Sequence, residues 1–221
     1  MSPKIGVLLA GCGVYDGSEI HEAVITLLAL DRAGADIVCM APDMDQMHVV
    51  NHLTQAVTDE KRNVLVESAR IARGDIKNIK EVRPEDLDGL IIPGGFGAAK
   101  NLSDFAVKGT EARVHPEVQR ILADMVSAGK PVGAICIAPA TLARAVADKK
   151  PEVTIGSDAG TAGAIESMGG RHVNCTVTAI HLDETNRIVT TPAYMLGPGI
   201  KDVAEGIEKL VQQVMSMVAA A

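Results

Sequence analysis

The stretch Lys130-Pro-Val-Gly-Ala-Ile-Cys136-Ile-Ala-Pro139-Ala-Thr-Leu142 decides how the rest of the chain is read. A short apolar run stops at a cysteine. A helical pattern begins at once, with a proline three residues in, where its missing N–H costs nothing. The pattern predicts a buried strand turning sharply into a helix, with Cys136 on the turn. Such an elbow lifts a side chain out of the backbone at the carboxyl edge of a sheet. It also sets the sulfur at a helix N-terminus, where unpaired N–H groups favour a thiolate.

Working outward, similar units recur. Lys4 to Ala10 is a continuous apolar run ending in glycines, as expected of a buried parallel strand. Gly11-Cys-Gly-Val-Tyr-Asp-Gly17 is the loop after it. A helix is predicted from Ser18 to Arg32, with Ser18 as N-cap and Gly34 closing it. Asp36 to Ala41 follows as a strand. Residues 42–83 are less regular, with a helix expected over Asp59–Arg73 and a short strand over Ile76–Val82. Gly89-Leu-Ile-Ile-Pro93 is another buried strand, and Gly94-Gly-Phe-Gly opens the next helix. Pro116 to Gly129 is an amphipathic helix. Beyond the elbow, short strands are expected at 153–156, 173–177, 179–182 and 187–191, helices at 161–168 and 200–217. No repeat or linker interrupts the alternation. It predicts one α/β domain over 1–221, a doubly wound, mostly parallel sheet with helices on both faces.

Composition excludes several classes. The 221 residues carry a net charge of -7 and 47% hydrophobic residues, with only 2% aromatics. No basic patch is interleaved with aromatics, which argues against nucleic-acid binding. No apolar run approaches the roughly 20 residues of a membrane span. The Met-Ser-Pro-Lys start enters a strand without a signal peptide. Cys12, Cys39, Cys136 and Cys175 are scattered, with no CxxC pair. That favours reduced thiols, no zinc site and a cytoplasmic protein.

Ligands of open α/β sheets bind outside the carboxyl ends of the strands. The loops after Ala10, Pro93, Ile135 and Thr191 should meet there. Gly11-x-Gly13 invites a dinucleotide reading, but Gly17 falls one residue late, and Tyr15 and Asp16 would crowd and repel a pyrophosphate. Gly94-Gly-Phe-Gly lacks the Gly-Lys-Ser/Thr of a phosphate loop. Of the four cysteines, only Cys136 has an elbow around it. Cys12 reads as a packed loop residue, Cys39 and Cys175 as core. Periodicity alone leaves Glu22 as a solvated helix carboxylate, with Asp16, Glu19 and His21 as neighbours. His48, His52, His172 and His181 show no metal-ligand spacing.

Ala134-Ile-Cys136-Ile-Ala-Pro-Ala, with Pro93-Gly-Gly-Phe-Gly-Ala-Ala-Lys-Asn-Leu upstream, resembles the PfpI-like branch of the class I glutamine amidotransferase-like superfamily. Gly11-Cys-Gly-Val-Tyr-Asp-Gly-Ser-Glu-Ile-His-Glu-Ala23 and Thr190-Thr-Pro-Ala-Tyr-Met-Leu196 look like its ElbB-like ("enhancing lycopene biosynthesis") family, over essentially the whole chain. The resemblance implies a flavodoxin-like fold with Cys136 as nucleophile. It implies Glu22 as the carboxyl that hydrogen-bonds the cysteine, reversing the reading from periodicity. A protonated carboxyl donating to sulfur stabilises the thiolate. Backbone N–H groups of Gly95 and Ile137 are the implied oxyanion hole, and Asp16, Glu19, His21 and Tyr194 are candidate pocket residues.

The implied activity is a glyoxalase that needs neither glutathione nor cofactor. It would turn glyoxal or methylglyoxal into the 2-hydroxy acid through a cysteine hemithioacetal, a lyase of the hydro-lyase, D-lactate dehydratase-like type. A homodimer is also implied. One departure stands out. Protease-like members follow the cysteine with histidine, but residue 137 is isoleucine, which argues against peptidase or amidase chemistry. The alternative is a redox-sensing or interaction protein with a reactive thiol and weak glyoxalase or deglycase activity.

Overall fold

The computed structural model describes residues 2–220. Its strands are β1 (Lys4–Leu8), β2 (Asp36–Ala41), β3 (Val49–Val50), β4 (Val57–Thr58), β5 (Lys77–Asn78), β6 (Gly89–Ile92), β7 (Val132–Ile135), β8 (Glu152–Val153), β9 (Arg171–His172), β10 (His181–Asp183) and β11 (Ile188–Thr191). Its α-helices are α1 (Ile20–Arg32), α2 (Val64–Ile71), α3 (Phe96–Lys100), α4 (Phe105–Lys108), α5 (Pro116–Ser127), α6 (Ala138–Ala145), α7 (Ala159–Ser167) and α8 (Ile200–Ala219).

Seven strands form one sheet in the order β10-β11-β7-β6-β1-β2-β5. Only the β10–β11 pair is antiparallel. The fold is therefore the doubly wound α/β, flavodoxin-like type that the alternating pattern predicts. Side-chain alternation splits the core in two. Leu8, Leu90, Ile92 and Val132 face α5 and α6, while Ile5, Val7, Ile91 and Val189 face α1 and α8. The chain runs one way from β1 to β2 and the other way from β6 to β7 and β11. Strand order thus reverses between β1 and β6, which opens a crevice above their carboxyl ends.

Several short elements differ from the sequence reading. Glu19, rather than Ser18, caps α1, its carboxylate accepting from Glu22 N–H. The Ser18 hydroxyl instead accepts from Ala10 N–H at 2.9 Å. Helix α2 starts only at Val64, where the Asn63 side chain accepts from Val66 N–H. The residues before it pair in the antiparallel β3–β4 hairpin. The strand expected over Ile76–Val82 stops after two residues because Asn78 caps a 3-10 turn at Ile79–Glu81. The strand expected at 173–177 does not form, the chain pairing earlier as β9, and the one expected at 179–182 is reduced to β10 (Ala179 N–H turns back onto Thr176 O). Strand β8 pairs with β9 in a small separate parallel sheet. Cys39 is core, as expected. Cys175 is half-buried and lines a surface depression, so its reading as core is corrected.

Candidate active site

Cys136 follows β7 with φ of 63°. A left-handed cysteine costs on the order of 1–3 kcal/mol, so the surroundings must hold it there. They do so from two sides. Cys136 N–H donates to Thr191 O at the end of β11, and Ile137 caps α6, whose second residue is Pro139. The sulfur side chain stands clear of the helix that follows and lies under the loops after β1 and β6.

Those loops interlock through their glycines. Glu19 N–H donates to Gly94 O, Phe96 N–H to Val14 O and Gly97 N–H to Gly17 O. A methyl group at Gly97 would sit 2.5 Å from Gly17 Cα, and one at Gly95 2.5 Å from Gly17 O. The glycines permit this backbone-on-backbone contact, and the N–H groups a phosphate would need are spent within the protein. That is the physical reason neither loop is a nucleotide cradle.

Glu22 lies one turn into α1 and is fully buried. Its Oε2 accepts from Gly94 N–H at 2.9 Å and its Oε1 from Tyr194 N–H at 3.3 Å. Its carboxyl group is hydrogen-bonded to the Cys136 side chain. A methyl group at Gly94 would sit 2.5 Å from Glu22 Oε2 and would also overlap Cys136 Cβ. Only glycine lets the carboxyl and the thiol meet across this loop.

The electrostatics join these two groups into one unit. Burial, and then the Glu19 carboxylate, hold the Glu22 carboxyl up at about 8. Burial and the charge of an ionised Glu22 push the Cys136 thiol well above its ordinary value, while backbone N–H groups of Gly95 and Ile137 draw it down. Two acids in contact titrate as a pair. Below about pH 8 the pair keeps a proton on Glu22. The repulsion on sulfur is then gone, and the same carboxyl can donate to it.

The sulfur forms the floor of a cavity of about 390 Å3. Its apolar walls are Val14, Phe96, Ile137 and Met195, and its polar walls are Glu19, Thr161 and Tyr194. A larger groove of about 470 Å3 lies between α1 and β2, remote from the elbow and lined by Cys39.

The chain was compared with known proteins. Residues 11–160, more than half of the chain, match the model of the DJ-1/PfpI family. The chain belongs to the DJ-1/PfpI family. Among relatives of this DJ-1/PfpI protein, the rat "ES1 protein homolog, mitochondrial" is 44% identical over 224 aligned positions, covering 97% of this chain and 84% of the relative. The human "Glutamine amidotransferase-like class 1 domain-containing protein 3, mitochondrial" is also 44% identical, covering 97% and 83%. A crystal structure of an isoprenoid biosynthesis protein with amidotransferase-like domain from Ehrlichia chaffeensis superposes with a TM-score of 0.92 at 40% identity, covering 98% of this chain and 99% of that one.

These relatives overturn the expectation of a cytoplasmic protein, since the rat, human and zebrafish relatives are all named mitochondrial. Scattered free thiols indicate a reducing compartment but do not tell one reducing compartment from another.

In this DJ-1/PfpI fold, Cys136, Glu22, Gly95 and Ile137 come together, and Glu19 and Tyr194 line the cavity. His21 stands behind the wall, its Nδ1 at 2.8 Å from the Tyr194 hydroxyl. Asp16 is not a pocket residue. It is buried, with Oδ2 accepting from Val50 N–H at 2.7 Å, and it anchors the β3–β4 hairpin to the first loop. Sequence reasoning did not find Gly94 as a donor to Glu22, nor Thr161 and Met195 as walls. The glycine run marked the Gly94 loop, but nothing local marks Thr161 at the start of α7. Among the described residues, no group of three or more metal-ligating side chains gathers, and no helix is long and apolar enough to cross a membrane.

Proposed function

We propose that this protein is a glutathione- and cofactor-independent glyoxalase that converts α-dicarbonyls to 2-hydroxy acids. The observation that carries the proposal is the Cys136–Glu22 pair: a strained elbow thiol, two backbone donors at its sulfur, and a buried carboxyl held at about 8, at the floor of a cavity. The thiolate attacks the aldehyde carbon, forming the C–S bond of a hemithioacetal. N–H groups of Gly95 and Ile137 hold the resulting oxyanion. Glu22, once its proton has passed to oxygen, takes the C–H proton of the former aldehyde carbon and returns it to the neighbouring carbon. The aldehyde carbon is thereby oxidised to a thioester and the second carbonyl reduced to an alcohol, within one molecule. Water then displaces sulfur and releases the 2-hydroxy acid. The step balances without an external oxidant or reductant.

The test is conversion of methylglyoxal to lactate by the wild-type protein and by Cys136→Ala, with circular dichroism as a control of folding. Turnover that is lost in a folded Cys136→Ala protein supports the reading; undiminished turnover ends it.

A homodimer belongs to the same proposal. Ile20, Val24 and Leu28 repeat every four residues on α1 and are 42%, 48% and 43% exposed. Such an apolar stripe on a surface helix is what a second subunit covers. Sedimentation at micromolar concentration decides it, and Val24→Glu should shift a dimer to monomer.

A further inference from the structure

The chemistry above needs only two adjacent carbonyl carbons, yet the cavity offers about 390 Å3. Glyoxal would fill a small part of it. Most of the remaining wall is apolar, formed by Val14, Phe96, Ile137 and Met195. Phe96 is 47% exposed, an unusual position for one of only two phenylalanines in the chain. A bound apolar group would remove that ring from water.

The charge on the walls points the same way. Glu19 is the charged lining group outside the Cys136–Glu22 pair, and its side chain is 11% exposed. Among the described residues, no lysine or arginine lines the cavity. Lys100 stands nearby, but its ammonium donates to Tyr15 O at 2.9 Å and lies 5.2 Å from the centre of the Phe96 ring. A carboxylate or phosphate entering this space would leave water and meet Glu19 in a medium of low dielectric constant.

We infer that the cavity selects neutral α-ketoaldehydes with an apolar substituent, over glyoxal and over anionic carbonyls. Phe96 and Met195 receive the substituent, and Glu19 repels negative charge. The same charge serves the end of the reaction, because the product is a carboxylate formed beside Glu19 and is driven out. This inference rests on the glyoxalase reading and specifies its substrate class. The balance is unchanged: R–CO–CHO plus water gives R–CH(OH)–COOH.

The experiment compares kcat/KM for glyoxal, methylglyoxal, phenylglyoxal and 4-carboxyphenylglyoxal, as initial rates of hydroxy-acid formation, in wild type, Phe96→Ala and Glu19→Gln. Phenylglyoxal should exceed methylglyoxal by about tenfold or more, the discrimination an apolar pocket gives for added apolar groups. The carboxylated analogue should fall well below phenylglyoxal. Phe96→Ala should shrink the phenyl-to-methyl ratio, and Glu19→Gln should raise the ratio of carboxylated to plain phenylglyoxal. Measurable turnover with glyoxal or methylglyoxal equal to or above phenylglyoxal overturns the inference and leaves the glyoxalase reading intact. So does equal use of the carboxylated analogue. No turnover of any of the four by folded wild-type protein overturns the glyoxalase reading itself, and the substrate class with it.

Discussion

Two concave surfaces of this molecule have a buried cysteine in their lining, and they differ in what surrounds the sulfur. The groove between α1 and β2 is the larger, and Cys39 lies in it. There the backbone is committed to the β2 ladder. Burial and the Asp75 carboxylate push the Cys39 thiol up to about 11. The smaller cavity ends on Cys136, equally shielded from water. Its chain has left the ladder, its sulfur receives two N–H groups, and a protonatable carboxyl touches it. Concavity and burial are shared; donors and a proton partner are not. A buried cysteine by itself is an inert small hydrophobe. Burial raises both thiols, but only at the elbow do backbone donors draw the thiol down and a carboxyl stand ready to hold the proton.

Mutation can break this contrast in steps. The largest effect is expected from the nucleophiles themselves. Cys136→Ala should lower turnover on the order of 10⁶-fold, as loss of a covalent nucleophile does elsewhere, while Cys39→Ala should leave it unchanged. Steady-state kinetics on both variants checks this, and equal losses would erase the distinction. Next comes Gly94→Ala. The added methyl would push Glu22 and Cys136 apart, and a displacement of this kind costs roughly 10²-fold in rate. The alkylation rate of Cys39 in the same folded variant should be untouched, which assigns the damage to the elbow.

Glu22 should also leave a mark on stability. Its folded value of about 8 lies above the ordinary 4.5. The folded state therefore keeps a proton that the unfolded chain releases. The associated stability is complete below about pH 4.5 and is lost as pH rises through about 8. Urea midpoints of the wild type should fall across this window relative to Glu22→Gln, which has no proton to lose. Each tenfold difference in proton affinity between the folded and unfolded chains is worth about 1.4 kcal/mol at most. A flat difference between the two proteins would show that Glu22 ionises freely. The smallest effect is expected at Asp16. Asp16→Ala strands Val50 N–H and should cost about 1–3 kcal/mol in stability, with turnover unaltered, because Asp16 holds the β3–β4 hairpin rather than the cavity.

Much of this was legible in the chain. Buried strands of continuous apolar residues alternating with helical patterns define the parallel sheet without further help, and the Cys136 elbow is visible from local sequence alone. Glu22 was not. Its place in α1 reads as a solvated carboxylate, and it is buried because the Gly94 loop, seventy-two positions away, folds over it. Only the family resemblance pointed to it. The two-residue strands failed for a related reason, since side-chain caps such as Asn78 and Asn63 end or delay elements whose apolar pattern runs on. Asp16 was misplaced because an acidic residue in a loop at the sheet edge looks like a site residue. The hairpin it anchors has little pattern of its own. Thr161 and Met195 reach the cavity through long-range packing, for which the chain carries no local signal.

At the centre stands the claim that Cys136 and Glu22 share a proton that leaves negative charge on sulfur. The rate of Cys136 alkylation against pH tests it directly in wild type, Glu22→Gln and Glu22→Ala. Burial holds the thiol high, and with Glu22 protonated and donating to sulfur the wild-type thiol should titrate below that of Glu22→Ala. Glu22→Gln, which keeps a donor, should stay with the wild type, and Glu22→Ala, which has none, should move upward. A Cys136 titration that is indifferent to both substitutions would contradict it.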